Sequence, residues 1–178
     1  MKKGHTTHEM LLDEIRDLFN QKGTDLTLST IAAELKVNRS MITNHFPKKR
    51  DLIYSLVSQY EEKLSILRAN RSNPDDVSFQ SQAGFYSEIL DLGFSYRGVI
   101  AYVLVTPAGE KLLDGPFKKT YEQNIMRIRD RIHAMIELDL VKDGILNPVS
   151  FKVFEIQYMT LASTWFISDG MYYEEAAY

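Results

Sequence analysis

The residues able to do chemistry gather in one stretch. Lys36 to Arg50, K-V-N-R-S-M-I-T-N-H-F-P-K-K-R, holds five Lys/Arg and no Asp or Glu, inside a chain of formal net charge −3. Arg39, Ser40, Thr43, Asn44 and His45 are short polar or cationic groups. Such groups suit base edges and phosphates in a major groove, whereas a helix face made for solubility alone more often carries Glu and Lys. Lys48, Lys49 and Arg50 follow just after Pro47. If a helix starts there, each cation has the wrong sign for its dipole by roughly 0.3–1 kcal/mol. A phosphate reverses that sign, gaining from the cations, the free N–H groups and the dipole together.

These groups need elements to hold them, and the spacing supplies two short helices. Thr27 is a good N-cap for a helix carrying Ile31, Ala32 and Leu35. Asn38 is a good N-cap for the next, and Pro47 disfavours helical geometry at Phe46 and closes it. Only Lys36 and Val37 join the pair, so the two helices must cross steeply, as in a helix-turn-helix. Ala32 is the small residue at the crossing, and Ile31, Leu35, Val37 and Ile42 are its apolar plugs. An earlier helix, with Leu11, Ile15, Leu18 and Phe19 on one stripe and Gly23 at its C-terminus, covers the back of the pair.

A fourth helix, 48–69, carries Leu52, Ile53, Leu56, Val57, Tyr60, Leu64 and Leu67 on its apolar face. The polar run R-A-N-R-S-N-P-D-D is the first break. Phe79 to Phe94 reads as helical. Residues 95–116 contain V-I-A-Y-V-L-V, which suits a buried strand by its β-branched content or a buried helix. No neighbouring run offers a pairing partner, so the helix is preferred. Phe117, Tyr121, Ile125, Ile128, Ile132 and Met135 alternate four and three in a long amphipathic helix. Phe151, Phe154, Tyr158, Leu161 and Trp165 do the same in a last one, which is apolar on more than one face and must bury more than one face.

The expected fold is therefore all-α. It has an N-terminal three-helix helix-turn-helix domain, 1–50, and a C-terminal helical bundle, 51–178, with helix 48–69 linking the two. Composition supports an ordinary globular chain: 44% hydrophobic and 25% charged. Residues 1–70 carry eleven Lys/Arg against nine Asp/Glu, and residues 71–178 carry ten against fifteen. An anionic partner is thus expected for the N-terminal part alone. The longest apolar run, Val99 to Val105, is far short of a membrane span, and the N-terminus leads into no signal core. With no cysteine there is no disulfide or thiolate chemistry. His5 and His8 form an H-x-x-H in what reads as a fraying terminus, with no second ligand pair, so no metal site is expected. No G-x-S-x-G, phosphate-cradling glycine loop or paired-carboxylate motif is present. The expectation is a cytoplasmic non-enzyme without cofactor.

The segment L-T-L-S-T-I-A-A-E-L-K-V-N-R-S-M-I-T-N-H-F-P-K-K-R-D-L-I resembles the DNA-binding module of the TetR/AcrR family of transcriptional regulators. Ile31, Ala32, Val37, Ile42, Phe46, Lys49 and Leu52 stand at the family's motif positions. Two positions depart from it. Lys36 stands where the family usually has a turn Gly, and Thr43 where it often has a phosphate-touching Tyr. The resemblance implies that Thr27 caps the second helix and meets a phosphate. It implies that Arg39, Ser40, Thr43 and Asn44 face the major groove, and that His45, Lys49 and, more weakly, Lys48 grip the backbone.

By the same resemblance the protein is a repressor that binds a two-fold symmetric double-stranded operator as a homodimer. The C-terminal bundle would take a small-molecule effector that releases DNA, here an apolar or aromatic one. Candidate pocket residues are Phe85, Tyr86, Tyr102, Met126, His133, Tyr158 and Trp165. Candidate dimer-interface residues are Phe151, Phe154, Tyr158, Ala162 and Phe166. The rival reading is a helical protein-interaction module that binds no DNA, kept open by an N-terminal net charge of only +2.

Overall fold

The computed structural model describes residues 7–70, 76, 78–106 and 118–173. The side chains of residues 79, 105, 118–121 and 162–173 lie outside the described set. The described residues form eight α-helices and no strand: α1 Thr7–Lys22, α2 Leu28–Glu34, α3 Arg39–His45, α4 Lys49–Ala69, α5 Phe79–Ser95, α6 Arg97–Val105, α7 Lys118–Glu137 and α8 Pro148–Tyr173. A single 3-10 turn, Asp143–Leu146, precedes α8. The ambiguous run Val99–Val105 is helical; residues 107–116 of the uncertain segment lie outside the described residues.

Three helix ends use left-handed backbone. Gly23 has φ 77°, and its N–H donates to the Phe19 carbonyl at 3.0 Å, closing α1. Lys36 has φ 56° after α2. Its N–H donates to Ala33 O at 3.2 Å, and the Val37 N–H to Ala32 O at 3.0 Å, the paired bonds of a Schellman turn. A lysine thus occupies the position that favours glycine. Asp139, also at φ 56°, ends α7 with the same pair of bonds, to Ile136 and Met135. The sequence reading did not mark that turn.

The core lies between α1, α2, α3, α4 and α6. Leu11, Leu12, Ile15, Leu18 and Phe19 of α1 pack with Ile31, Ala32, Ile42, Phe46, Leu52, Ile53, Leu56 and Val57. Val99 and Val103 of α6 belong to the same cluster. Helix α4 therefore gives its first turns to this core and its later turns to α5. Helix α8 packs against α5 and α6.

Helix α6 meets the end of α1 without a side chain between them. A Cβ on Gly98 would sit 2.6 Å from the Phe19 carbonyl oxygen. Asn20 fixes this approach: its Oδ1 accepts from the Gly98 N–H at 2.9 Å, and its Nδ2 donates to Ser95 O at 2.7 Å. The Arg97 guanidinium donates to Asn20 O at 3.3 Å. Nearby, Tyr96 is fully buried and its hydroxyl donates to Gln59 Oε1 at 2.7 Å. Gln59 Nε2 in turn donates to Asp13 Oδ1 at 3.2 Å, which also accepts from Arg16 at 2.7 Å.

Two stability changes follow. Left-handed backbone costs an L-residue about 1–2 kcal/mol, and glycine's extra chain entropy takes back about 0.5–1. Lys36→Gly is expected to raise stability by about 0.5–1 kcal/mol, seen as a higher urea midpoint at unchanged slope. Gly98→Ala forces backbone apart and is expected to cost about 1–3 kcal/mol by the same measurement.

Candidate nucleic-acid interface and internal cavity

Helix α2 starts as its sequence requires. Thr27 is extended, at φ −78° and ψ 159°, and its Oγ1 accepts from the Thr30 N–H at 3.1 Å. Thr27 itself is exposed. Helix α3 starts at Asn38, whose carbonyl accepts from the Met41 N–H at 2.9 Å. The Asn38 side chain makes no cap hydrogen bond, contrary to its expected role, and stays at the surface. Ile42 and Phe46 anchor α3 in the core. Their burial turns Arg39, Ser40, Asn44 and His45 outward, all exposed.

Thr43 is half-buried, and its hydroxyl lies within donating distance of Arg39 O at 3.2 Å and Ser40 O at 3.4 Å. Its proton thus serves the helix itself, leaving the oxygen as an acceptor. His45 does not stand alone. Its ring lies 5.6 Å from that of His8, edge to face, and His8 lies 5.0 Å from Phe46. His8 therefore belongs to the first turn of α1 and braces the end of α3; it is not in a fraying terminus. His5 lies outside the described residues.

The start of α4 is less purely cationic than its sequence suggests. Lys48 is the N-cap residue, and its backbone N–H donates to Asp51 Oδ2 at 3.1 Å. Asp51, three residues on, is the carboxylate that suits the dipole at a helix start. The three-residue spacing from Lys48 to Asp51 is the sequence signal for this contact. Lys49 is half-buried and reaches Asp25 only at 4.0 Å, an exposed pair worth little. Lys48 and Arg50 are exposed, and Lys36 stands exposed just before α3.

A cavity of about 690 Å³ lies between α4, α5, α7 and α8. Of the candidate pocket residues, Phe85, Tyr86 and Tyr158 line it. Tyr102 packs instead against the core under the helix-turn-helix. Met126 is 65% exposed and His133 is exposed, so neither points inward. The side chain of Trp165 lies outside the described set. Composition could not find the groups it missed: Arg68, Arg127 and Arg131 share the cavity with the tyrosines. Burial, and then the charge of Arg127, lowers the proton affinity of Arg68. Burial, and then Tyr86, pushes the Tyr158 phenol far above its usual range.

The inner face of α8 is aromatic. Phe151 is 2% exposed, under the Arg129 guanidinium at 4.2 Å, with Phe154 beside it at 6.2 Å. Phe154 and Tyr158 are half-buried, their rings 5.9 Å apart. Phe151, an expected interface residue, is thus enclosed by its own chain. The exposed apolar residues of α8 are Val149, Val153, Ile156 and Leu161, with Val153 at 50% and Ile156 at 55%. The side chains of Ala162 and Phe166 lie outside the described set. No helix among the described residues is long and apolar enough to cross a membrane.

Comparison with known proteins agrees with this geometry. The profile of the family described as "Bacterial regulatory proteins, tetR family" matches residues 11–56, which span α1 to the first turns of α4. No curated protein sequence matches significantly. Among solved structures, a TetR-family transcriptional regulator from Marinobacter aquaeolei VT8 superposes with a TM-score of 0.77 at 17% identity, covering 95% of this chain and 82% of that one. That likeness shows the shared all-helical fold, and the profile match lies on the helix-turn-helix built above. Residues 11–56 thus match the helix-turn-helix region of the tetR-family regulatory proteins, and the chain as a whole shares the all-helical fold of a TetR-family regulator.

Proposed function

We propose that the protein is a transcriptional repressor that grips a two-fold symmetric operator as a homodimer and releases it when a small effector enters the C-terminal bundle. The observation that carries DNA reading is the face of α3. Burial of Ile42 and Phe46 presents Arg39, Ser40 and Asn44 together, beside the free-standing Lys48 and Arg50. Arg39 suits guanine and Asn44 adenine by hydrogen-bond geometry. Thr27, His45 and Lys49 are the backbone contacts in this reading. Thr43, with its proton turned to the helix carbonyls, accepts from a base or a bridging water in this reading.

The proposed dimer surface is the outer face of α8. Val149, Val153 and Ile156 recur at four and three residues, an exposed apolar stripe on a helix whose other face is already used. A second copy of the same helix is its simplest complement, since a two-fold interface pairs one patch with itself. Half-sites would then lie about one helical turn, roughly 34–36 Å, or a multiple apart. The cavity beside α8 is the effector site in this reading.

Gel shifts on genomic fragments around the gene, at two salt concentrations, test DNA binding. Lys49→Ala is expected to weaken all sequences alike and to lower the salt slope by about one, while Arg39→Ala costs about 1–3 kcal/mol at one base position. A dimeric sample that gives no salt-sensitive shift would favour the protein-interaction module. Sedimentation equilibrium tests the interface. Val153→Glu with Ile156→Glu is expected to give a folded monomer with weakened operator binding; a dimer that persists rules out this face.

A further inference from the structure

We infer that the cavity between α4, α5, α7 and α8 takes an organic carboxylate, its anionic head held by Arg68, Arg127 and Arg131 and its apolar or aromatic body lying against Tyr86 and Tyr158. The inference rests on the effector reading above and narrows it to a chemical class. Three guanidinium groups line the cavity, and Glu61 is the one carboxylate among its described lining residues. Arginine stays protonated in proteins, so this enclosure carries net positive charge when empty. Glu61 attracts Arg68 and offsets part of that charge, leaving three cations against one carboxylate among the described lining residues.

The three differ in how they are held. Arg131 is fixed: its Nη1 donates to Gln82 Oε1 at 2.6 Å, and its guanidinium lies 5.6 Å from the Phe85 ring centre. Its remaining donors are preorganised for a second acceptor. Among the described residues, Arg127 makes a long bond, 3.4 Å, to Asn124 Oδ1. Arg68 is partly desolvated and repelled by Arg127. An anion between Arg68 and Arg127 relieves that repulsion and replaces lost hydration, so the empty site favours a negative ligand. The planar fork of each guanidinium matches the two oxygens of a carboxylate.

The rest of the wall is not built for a polyanion. The Tyr86 and Tyr158 rings meet edge to face at 5.8 Å and their hydroxyls interact with each other, so this wall presents aromatic faces and neutral hydroxyls. A volume of about 690 Å³ suits a small amphipathic acid. A nucleotide would bring several charges to a wall that is more than half aromatic or aliphatic.

The test compares naphthoate and decanoate with naphthol and decanol, and with inorganic phosphate, by calorimetric titration and by release of a labelled operator. The carboxylates are expected to bind at least about tenfold tighter than the matched alcohols, because a charge-assisted bidentate pair is lost with the head group. Arg68→Gln and Arg127→Gln are each expected to erase most of that advantage while operator binding without ligand is kept. Glu61→Gln, which removes the opposing charge, is expected to tighten the carboxylates, a gain that misfolding cannot mimic. Alcohols that bind as well as the acids would overturn the anionic head and leave the effector reading intact. Phosphate that binds as tightly would overturn the apolar body. Carboxylate binding without operator release would uphold the site and sink the effector reading. Silence from all five probes would sink both.

Discussion

Tyr96 is fully enclosed, and its hydroxyl must find an acceptor inside the protein; Gln59 of α4 supplies it at 2.7 Å. Leaving such a donor unmet costs about 1–3 kcal/mol, so the break between α5 and α6 is pinned to α4. Gln59 passes the constraint to Asp13 of α1, where Arg16 and Lys63 also converge. Asn20 adds a second fastening about two helical turns further along α1. The helix-turn-helix and the bundle are thus joined by partly buried, hydrogen-bonded polar groups as well as by apolar packing. Such a joint holds one geometry, because a half-made network is worse than none.

Helix α4 runs through both regions. One end carries Lys49 and the Lys48 cap, and the other carries Arg68 at the cavity. Its 21 residues span about 30 Å as one rigid element. Coupling between an effector and DNA is typically about 1–3 kcal/mol, the same size as one buried hydrogen bond in the Tyr96 chain. A ligand bound at Arg68, if the proposed effector reading holds, would have enough energy to matter at this joint, and not enough to dismantle the core around Phe19 and Leu56.

The helix-turn-helix was legible in the sequence because its determinants are local. Thr27, Ala32, Ile42 and Pro47 act within a few residues of themselves, and each did what its type predicts. Gly23 was equally readable, whereas the role of Lys36 in its turn was open until its left-handed backbone was seen. What the sequence did not show was geometry between distant segments. The arginines of the cavity come from α4 and α7, and nothing in their spacing says that they meet. Helix α8 is apolar on several faces, so periodicity could not say which face turns inward; Phe151 was chosen for the outside and lies within. His8 was dismissed with its terminus because its partners, His45 and Phe46, are far along the chain.

Val99 and Val103 complete the core on which α1 to α3 rest, yet they lie well downstream of the last helix-turn-helix residue. Synthesis delivers the chain N-terminal end first. The reading head therefore emerges from the ribosome with one wall of its core still open, and it closes only when α6 arrives. Excised at the end of its sequence motif, it would carry that open wall permanently. The module is portable as a pattern of residues, while part of the core beneath it is supplied by α6.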